Sequence, residues 1–232
     1  VATFTGILYE ALLTPGMKAE KVPSGKKYIL LMDIDDTMVV AKGIYILRKL
    51  PTDRQKVKLT PEQYSKEKVT PETKKYYDYS EFRDPKKVYN SIINGTPLWR
   101  NLRVMDHHIK NGWQIGILTA RGMGDVINKA MQDWLKYKEV TGKGKIRTKE
   151  EINKLKPIGS LLKTGLVNAV GDMTKQYPGT TDFQRKAMII MKLAKKYDMI
   201  KFLDDDSKNL KAVNDMNLRN VLVVKALPKE TM

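Results

Sequence analysis

The chain has 232 residues, 41% of them hydrophobic, no cysteine, and a formal net charge of +17. That length suits one domain with an elaborated insertion, or at most two small ones, and the apolar share is too large for a disordered chain. The lack of cysteine excludes disulfides, thiolate metal sites and cysteine nucleophiles, and it suits a reducing, cytoplasmic setting.

Residues 1–25 read as an N-terminal arm or appended helix. The opening "VATFTGILYEALLTPGMKAEK" has no basic start before its apolar stretch and carries Glu10, so it is not read as a signal peptide. No apolar run approaches the length of a membrane span, and no membrane partner is expected. The first strand is "YILLM" (Tyr28–Met32). From Ala41 to Pro97, "IYILRKL", "PTDRQ" and "KVKLT" read as a hairpin with a loose turn, followed by a polar, tyrosine-rich stretch through "YYDYSEFRDP".

Regular alternation then sets in. Leu98, Leu102, Met105, Ile109 and Trp113 recur at helical steps before the strand "WQIGIL" (Trp113–Leu118). Gly124 to Tyr137 is a second helix, with Val126, Ile127, Ala130, Met131 and Trp134 on one side. Lys138 to Pro157, dense in lysine and glycine, reads as a loop or frayed helix. "LVNAV" (Leu166–Val170) is the third strand, and Phe183, Ala187, Ile190, Ala194 and Tyr197 mark the next helix. "MIKFL" (Met199–Leu203), a short helix around Leu210, Val213 and Met216, and "VLVVKAL" (Val221–Leu227) complete the series. Nearly continuous apolar runs suit strands buried on both faces. The order therefore predicts an α/β fold: a Rossmann-like three-layer sandwich around a central parallel five-stranded sheet, with a small β-hairpin and loop cap insertion at about 41–97.

In such a sheet ligands bind outside the carboxyl ends of the strands. There the sequence places Asp33, Asp35, Asp36 and Thr37 after the first strand and Thr119, Ala120 and Arg121 after the second. Gly171 and Asp172 follow the third strand, and Asp204, Asp205 and Asp206 the fourth, with Asn209 close behind. If the first and fourth strands are neighbours, their acids meet at one edge around a cation. Hard oxygen ligands without histidine or cysteine favour Mg2+, which keeps waters and takes a few carboxylates plus a phosphate oxygen.

"DIDDT", "ILTAR", a lysine early in a later helix, and "FLDDDSKN" resemble, in that order, the four motifs of the haloacid dehalogenase superfamily. The resemblance runs from Lys26 to Leu227 and makes 26–232 one domain of that kind. The insertion with "YDYSEFRDP" is similar to small proteins of this type encoded by large tailed phages, which would allow a virion-associated place. The resemblance implies Asp33 as a nucleophile that forms an aspartyl-phosphate, and Asp35 as general acid and then base. It implies Mg2+ held by Asp33, the carbonyl of Asp35, Asp204 and Asp205. Thr119, with Ala120 and Arg121, would bind phosphate, and Lys186 would stabilise developing charge.

Other readings stand beside these. An EF-hand loop starting at Asp33 is disfavoured by Met38 and Ile44, where glycine and glutamate are required. The acids at 33–36 and 204–206 are also good turn and cap residues, and Thr119 could cap the helix near Gly124. Arg121 either touches substrate or pairs with a surface acid, Lys175 competes with Lys186, and Asp172 is expected in a turn. His107 and His108 lack metal-site spacing and are expected at the surface. The tyrosines from Tyr64 to Tyr89 are packing for the insertion or a stacking platform for bases. The expected activity is a Mg2+-dependent phosphatase acting on a phosphomonoester, such as a nucleotide or a nucleic-acid end. The alternative is a basic nucleic-acid-binding or assembly protein with little turnover, because the +17 charge attracts polyanions; a phosphotransferase would use the same residues.

Overall fold

The computed structural model describes residues 14–70, 72–135 and 166–228. The first thirteen residues and the stretch Lys138–Pro157 lie outside these. In chain order, β1 (Tyr28–Met32) leads into an insertion with β2 (Val39–Val40), β3 (Ile46–Arg48), β4 (Val57–Leu59), α1 (Pro61–Ser65), β5 (Tyr77–Asp78), α2 (Pro85–Ile93) and β6 (Thr96–Pro97). Alternation follows: α3 (Trp99–Lys110), β7 (Gln114–Thr119), α4 (Gly124–Leu135), β8 (Leu166–Ala169), α5 (Asp182–Ala194), β9 (Met199–Asp204), α6 (Ser207–Asn214) and β10 (Val221–Lys225).

The five long strands form one parallel sheet in the order β10-β9-β1-β7-β8. The fold is a three-layer α/β sandwich of Rossmann-like type, as the sequence pattern predicts. Side chains alternate across β1, so Leu30 and Met32 pack with Leu102 and Met105 of α3 and Ile127 and Met131 of α4. Ile29 and Leu31 pack on the other face with Ala187, Ile190 and Leu193 of α5 and Val213 of α6. Both faces are covered, which is why the strand is apolar without a break. Each fully buried aliphatic side chain contributes about 1.5–3 kcal/mol.

Residues 14–25 lie against this domain. Met17 is buried in the α3/α4-side core, the Trp113 indole donates to the carbonyl of Glu20 at 2.7 Å, and Val22 N–H donates to Asn111 at 2.9 Å. Among the described residues no helix is long and apolar enough to cross a membrane.

The insertion is richer than a hairpin. β3 and β4 pair antiparallel, as expected, but β5 adds a third strand on the far side of β3. Ile46, Leu59 and Tyr77 form a small core with Tyr64, Tyr79 and Phe82 around it. The hydroxyls of Tyr64 and Tyr79 meet at 2.6 Å, and Arg48 bridges Glu67 at 2.9 Å and Asp53 at 3.1 Å. These tyrosines are packing residues. The sequence reading also omits α2. Asp84 caps it by accepting from the N–H groups of Lys86 and Lys87, with Pro85 in the first turn. Val88 and Ile92 of this helix join the main core, and Tyr89 donates to Asp133 of α4 at 2.9 Å.

Candidate functional site

β1 lies between β7 and β9, where the strand order reverses direction and a crevice opens at the carboxyl edge. Asp33 follows β1 directly, and its N–H donates to Leu203 O at 3.0 Å, which holds it beside the end of β9. Asp204 closes β9 and Asp205 follows. One carboxylate oxygen from each of Asp33, Asp204 and Asp205 lies within 4.8 Å of the others. Two acidic turns far apart in the chain thus converge.

Lys186 reaches them from α5. A reciprocal capping box between Thr181 and Gln184 fixes the start of this helix and hence the position of the lysine. Its ammonium donates to Asp33 Oδ1 at 3.0 Å and Asp204 Oδ2 at 2.7 Å, and it is 1% exposed. Lys175 is exposed, so of the two candidate lysines Lys186 meets the carboxylates. Three carboxylates then face one ammonium, and negative charge is left in surplus.

The three acids differ in how fully they are bonded. Asp204 Oδ1 accepts from the Asp206 N–H at 2.8 Å and from Asn209 at 3.0 Å; its Oδ2 accepts from Lys186 and, at 2.9 Å, from Asn209. Asp205 Oδ1 accepts from the Thr37 hydroxyl at 3.2 Å, and the Asp205 N–H donates back to it at 3.1 Å. Among the described residues Asp33 Oδ2 and Asp205 Oδ2 accept no hydrogen bond. Asn101 in turn donates to the carbonyl of Thr37 at 2.9 Å. Thr37 ties the two turns together and Asn209 holds Asp204 within the second, roles not assigned from sequence. Their places, directly after the first acids and five residues after Asp204, were the available signal. Just before Thr37, Asp36 takes a left-handed conformation (φ 53), which a short polar side chain tolerates.

Electrostatics follow this crowding. Burial pushes the Asp33 carboxyl well above the usual range, Asp204 and Asp35 add to this, and Lys186 opposes it. Burial also works against the Lys186 ammonium, but Asp33 and Asp204 outweigh it and raise its pKa. Asp205 is pushed up to about 6 by burial first, then by Asp204 and Asp36, against the Thr37 hydrogen bond.

Asp35 turns to a different partner. Arg121 donates to it from Nε and Nη2, each at 2.6 Å, while Nη1 donates to Ser91 Oγ on α2 at 2.8 Å. The arginine side chain is 4% exposed and the aspartate 28%. A bidentate pair of this kind fixes orientation as well as charge. Arg121 therefore pairs with an acid, but with half-buried Asp35 beside the first acidic turn rather than with one on the open surface. Thr119 is buried at the end of β7 and its hydroxyl accepts from Arg121 N–H at 3.3 Å, while Ala120 is exposed at the rim. Among the described contacts neither touches the carboxylate cluster. Asp172 caps α4, accepting from Met123 N–H at 2.6 Å and Gly124 N–H at 2.9 Å, so that cap is not Thr119. Beneath it Gly171 lies so near that a Cβ there would stand 2.5 Å from Gly122 N, which presses the two rim loops together.

His108 corrects the surface expectation. It is fully buried, its Nδ1 pairs with Val104 O at 2.8 Å, and its ring stands edge-on to Trp113 at 4.9 Å. It lies seven residues after buried Asn101 and three after Met105, on the core stripe of α3.

Comparison with models of known protein families finds no match, and comparison with curated protein sequences finds none either.

Proposed function

We propose that the chain is a Mg2+-dependent phosphatase of the haloacid dehalogenase type, hydrolysing a phosphomonoester through an aspartyl-phosphate on Asp33. The observation that carries this reading is the convergence of Asp33, Asp204 and Asp205 on one point beside Lys186. The donor set is all oxygen and the cluster holds surplus negative charge, so the residues fit a hard divalent cation. Asp33 and Asp205, which have oxygens open, would hold it together with the carbonyl of Asp35. Asp204 is saturated by Lys186, Asn209 and the Asp206 N–H, and so serves mainly to hold the lysine. A bound ion would neutralise charge between the anionic nucleophile and the anionic phosphate.

In this proposal an Asp33 oxygen attacks phosphorus while the bond to the leaving oxygen breaks. Asp35 gives that oxygen a proton, later removes one from the attacking water, and phosphate leaves as Asp33 is regenerated. Arg121 acts through Asp35 by fixing its direction, and Ser91 holds Arg121 from the insertion. The Thr119 hydroxyl and the N–H groups near Ala120 bind phosphate oxygens, and Lys186 stabilises the charge that develops. Hydrolysis of an aryl phosphate with and without Mg2+, beside an Asp33→Asn variant, tests this; activity that survives the substitution removes the nucleophile. The +17 charge favours a second reading, a nucleic-acid-binding or assembly protein with little turnover. Salt-sensitive nucleic-acid binding without hydrolysis would select it. Transfer to an acceptor other than water is separated from hydrolysis by product analysis.

A further inference from the structure

The three-stranded sheet of the insertion has two unlike faces. Ile46, Leu59 and Tyr77 turn inward to the small tyrosine-lined core. The opposite face carries Leu47 flanked by its cross-strand partners Lys58 and Asp78. Tyr45 and Lys49 flank β3 and Lys56 precedes β4, each two residues from Leu47 or Lys58, so the period-two alternation, continued past the strand ends, sets them on this side; the Lys49 ammonium donates to the carbonyl of Asp53 at 2.6 Å. Lys49, Lys56 and Lys58 are exposed, and Lys58 Nζ lies 5.7 Å from the centre of the half-buried Tyr45 ring. Asp78 is the acid in this row, and its carboxylate is occupied by the Ser80 N–H at 2.8 Å. Other acids of the insertion are engaged elsewhere. Asp53 and Glu67 bind Arg48, Glu81 binds Lys87, and Asp84 caps α2.

This face is joined to the candidate site through α2. The Tyr45 N–H donates to Glu81 at 2.8 Å, and the other Glu81 oxygen accepts from Lys87 on α2. One turn further along that helix Ser91 holds Arg121, which holds Asp35. A β face with exposed lysines and an aromatic ring beside one of them has the chemistry of single-strand recognition, in which cations follow the phosphates and a base stacks on the ring. We propose that this face binds single-stranded nucleic acid, with Lys56 and Lys58 on phosphates and Tyr45 under a base, and presents the strand's terminal phosphate to Asp33. The second half of this proposal rests on the phosphatase reading; the binding surface does not.

The test is fluorescence anisotropy of the full chain with a short, labelled, unphosphorylated single-stranded oligonucleotide over a salt series. A Lys56→Glu/Lys58→Glu double variant is expected to bind at least about tenfold more weakly, and its log–log salt slope to fall by about 1.4, at roughly 0.7 per phosphate contact. Tyr45→Ala is expected to weaken binding several-fold with the slope unchanged, and Tyr45→Phe to restore it. Hydrolysis of a small aryl phosphate is expected to stay the same in all three variants, while KM for a terminally phosphorylated oligonucleotide rises in the lysine variant. Unchanged affinity in the lysine variant, or tighter binding to a duplex than to the single strand, overturns the surface. Oligonucleotide binding without any aryl phosphate hydrolysis by the unsubstituted chain keeps the surface and overturns the delivery of a phosphate.

Discussion

Two lysines are buried against the same sheet, one toward each face, and they have opposite fates. Lys186, 1% exposed, comes from α5 and meets the carboxylates of Asp33 and Asp204. Lys201, in the row of Leu30 on β9, is 5% exposed. It donates to Lys18 O at 2.6 Å and lies 5.1 Å from the centre of the Trp113 ring. Burial opposes charge at both. At Lys201 it prevails and the pKa falls; at Lys186 the two acids outweigh it and the pKa rises. Burial alone therefore does not mark a site. What sets the carboxyl edge apart is that acids outnumber the cation they surround, whereas Lys201 rests on a carbonyl and an indole ring and the opposing pull of Glu20 does not outweigh its burial.

That contrast can be broken first at the acids. Asp33→Asn keeps the shape and a hydrogen-bond acceptor, so the fold should hold while aryl phosphate turnover falls by roughly three orders of magnitude or more. Steady-state kinetics beside a circular dichroism melt checks both halves. Lys186→Met should follow, with turnover reduced by about 10²–10³. The same change strands Asp33 and Asp204 without their ammonium and should cost about 3–5 kcal/mol in urea unfolding.

The Lys201 region should respond to pH instead. His108 stands beside Trp113, and burial pushes its pKa down to about 4, with Lys201 adding to the effect. The folded chain thus holds the neutral ring, while the unfolded chain titrates near 6.5. Its contribution is complete above about pH 6.5 and is lost as pH falls toward 4, by up to about 3 kcal/mol. Urea unfolding across that range should show the loss, and His108→Leu should flatten it. The smallest effect is expected at Lys201 itself. Lys201→Met replaces a cation, whose burial its acidic neighbour Glu20 does not fully offset, with a thioether of similar length, so stability should move by no more than about 1 kcal/mol and turnover should be unaffected. A loss of turnover as large as that of Lys186→Met would erase the distinction between the two lysines.

The parallel sheet was legible because its strands read as short, mostly apolar runs, two of them ending in acids, as at "YILLM" before Asp33 and "MIKFL" before Asp204. The meeting of those acids was legible because strand ends of a parallel sheet share one edge. β5 was not, since two residues inside a polar stretch carry no period and Tyr77 is buried by partners brought from β3, β4 and α1. α2 could have been found from Asp84-Pro85, a cap and first-turn pair, followed by Val88 and Ile92 four residues apart. His108 was missed because the helical stripe was read from Leu98 and Leu102, whereas the buried set also contains Asn101 and Val104. The Arg121–Asp35 pair joins the ends of neighbouring strands, and which acid the arginine would choose is decided by packing against Ser91, which no local pattern encodes.

The convergence of two acidic turns on a divalent cation is tested most directly by thermal unfolding with and without Mg2+, in the unsubstituted chain and in Asp205→Asn. An ion that binds only the folded state stabilises it by about 2.7 kcal/mol at a hundredfold excess over Kd. Asp205 must be ionised to ligate, and its pKa stands at about 6, so the Mg2+-induced rise in Tm should be larger well above that pH than below it. Expected is a clear rise in the unsubstituted chain at neutral pH that is lost or much reduced in Asp205→Asn. No rise at any pH, or an equal rise in both proteins, would contradict a shared cation at this edge.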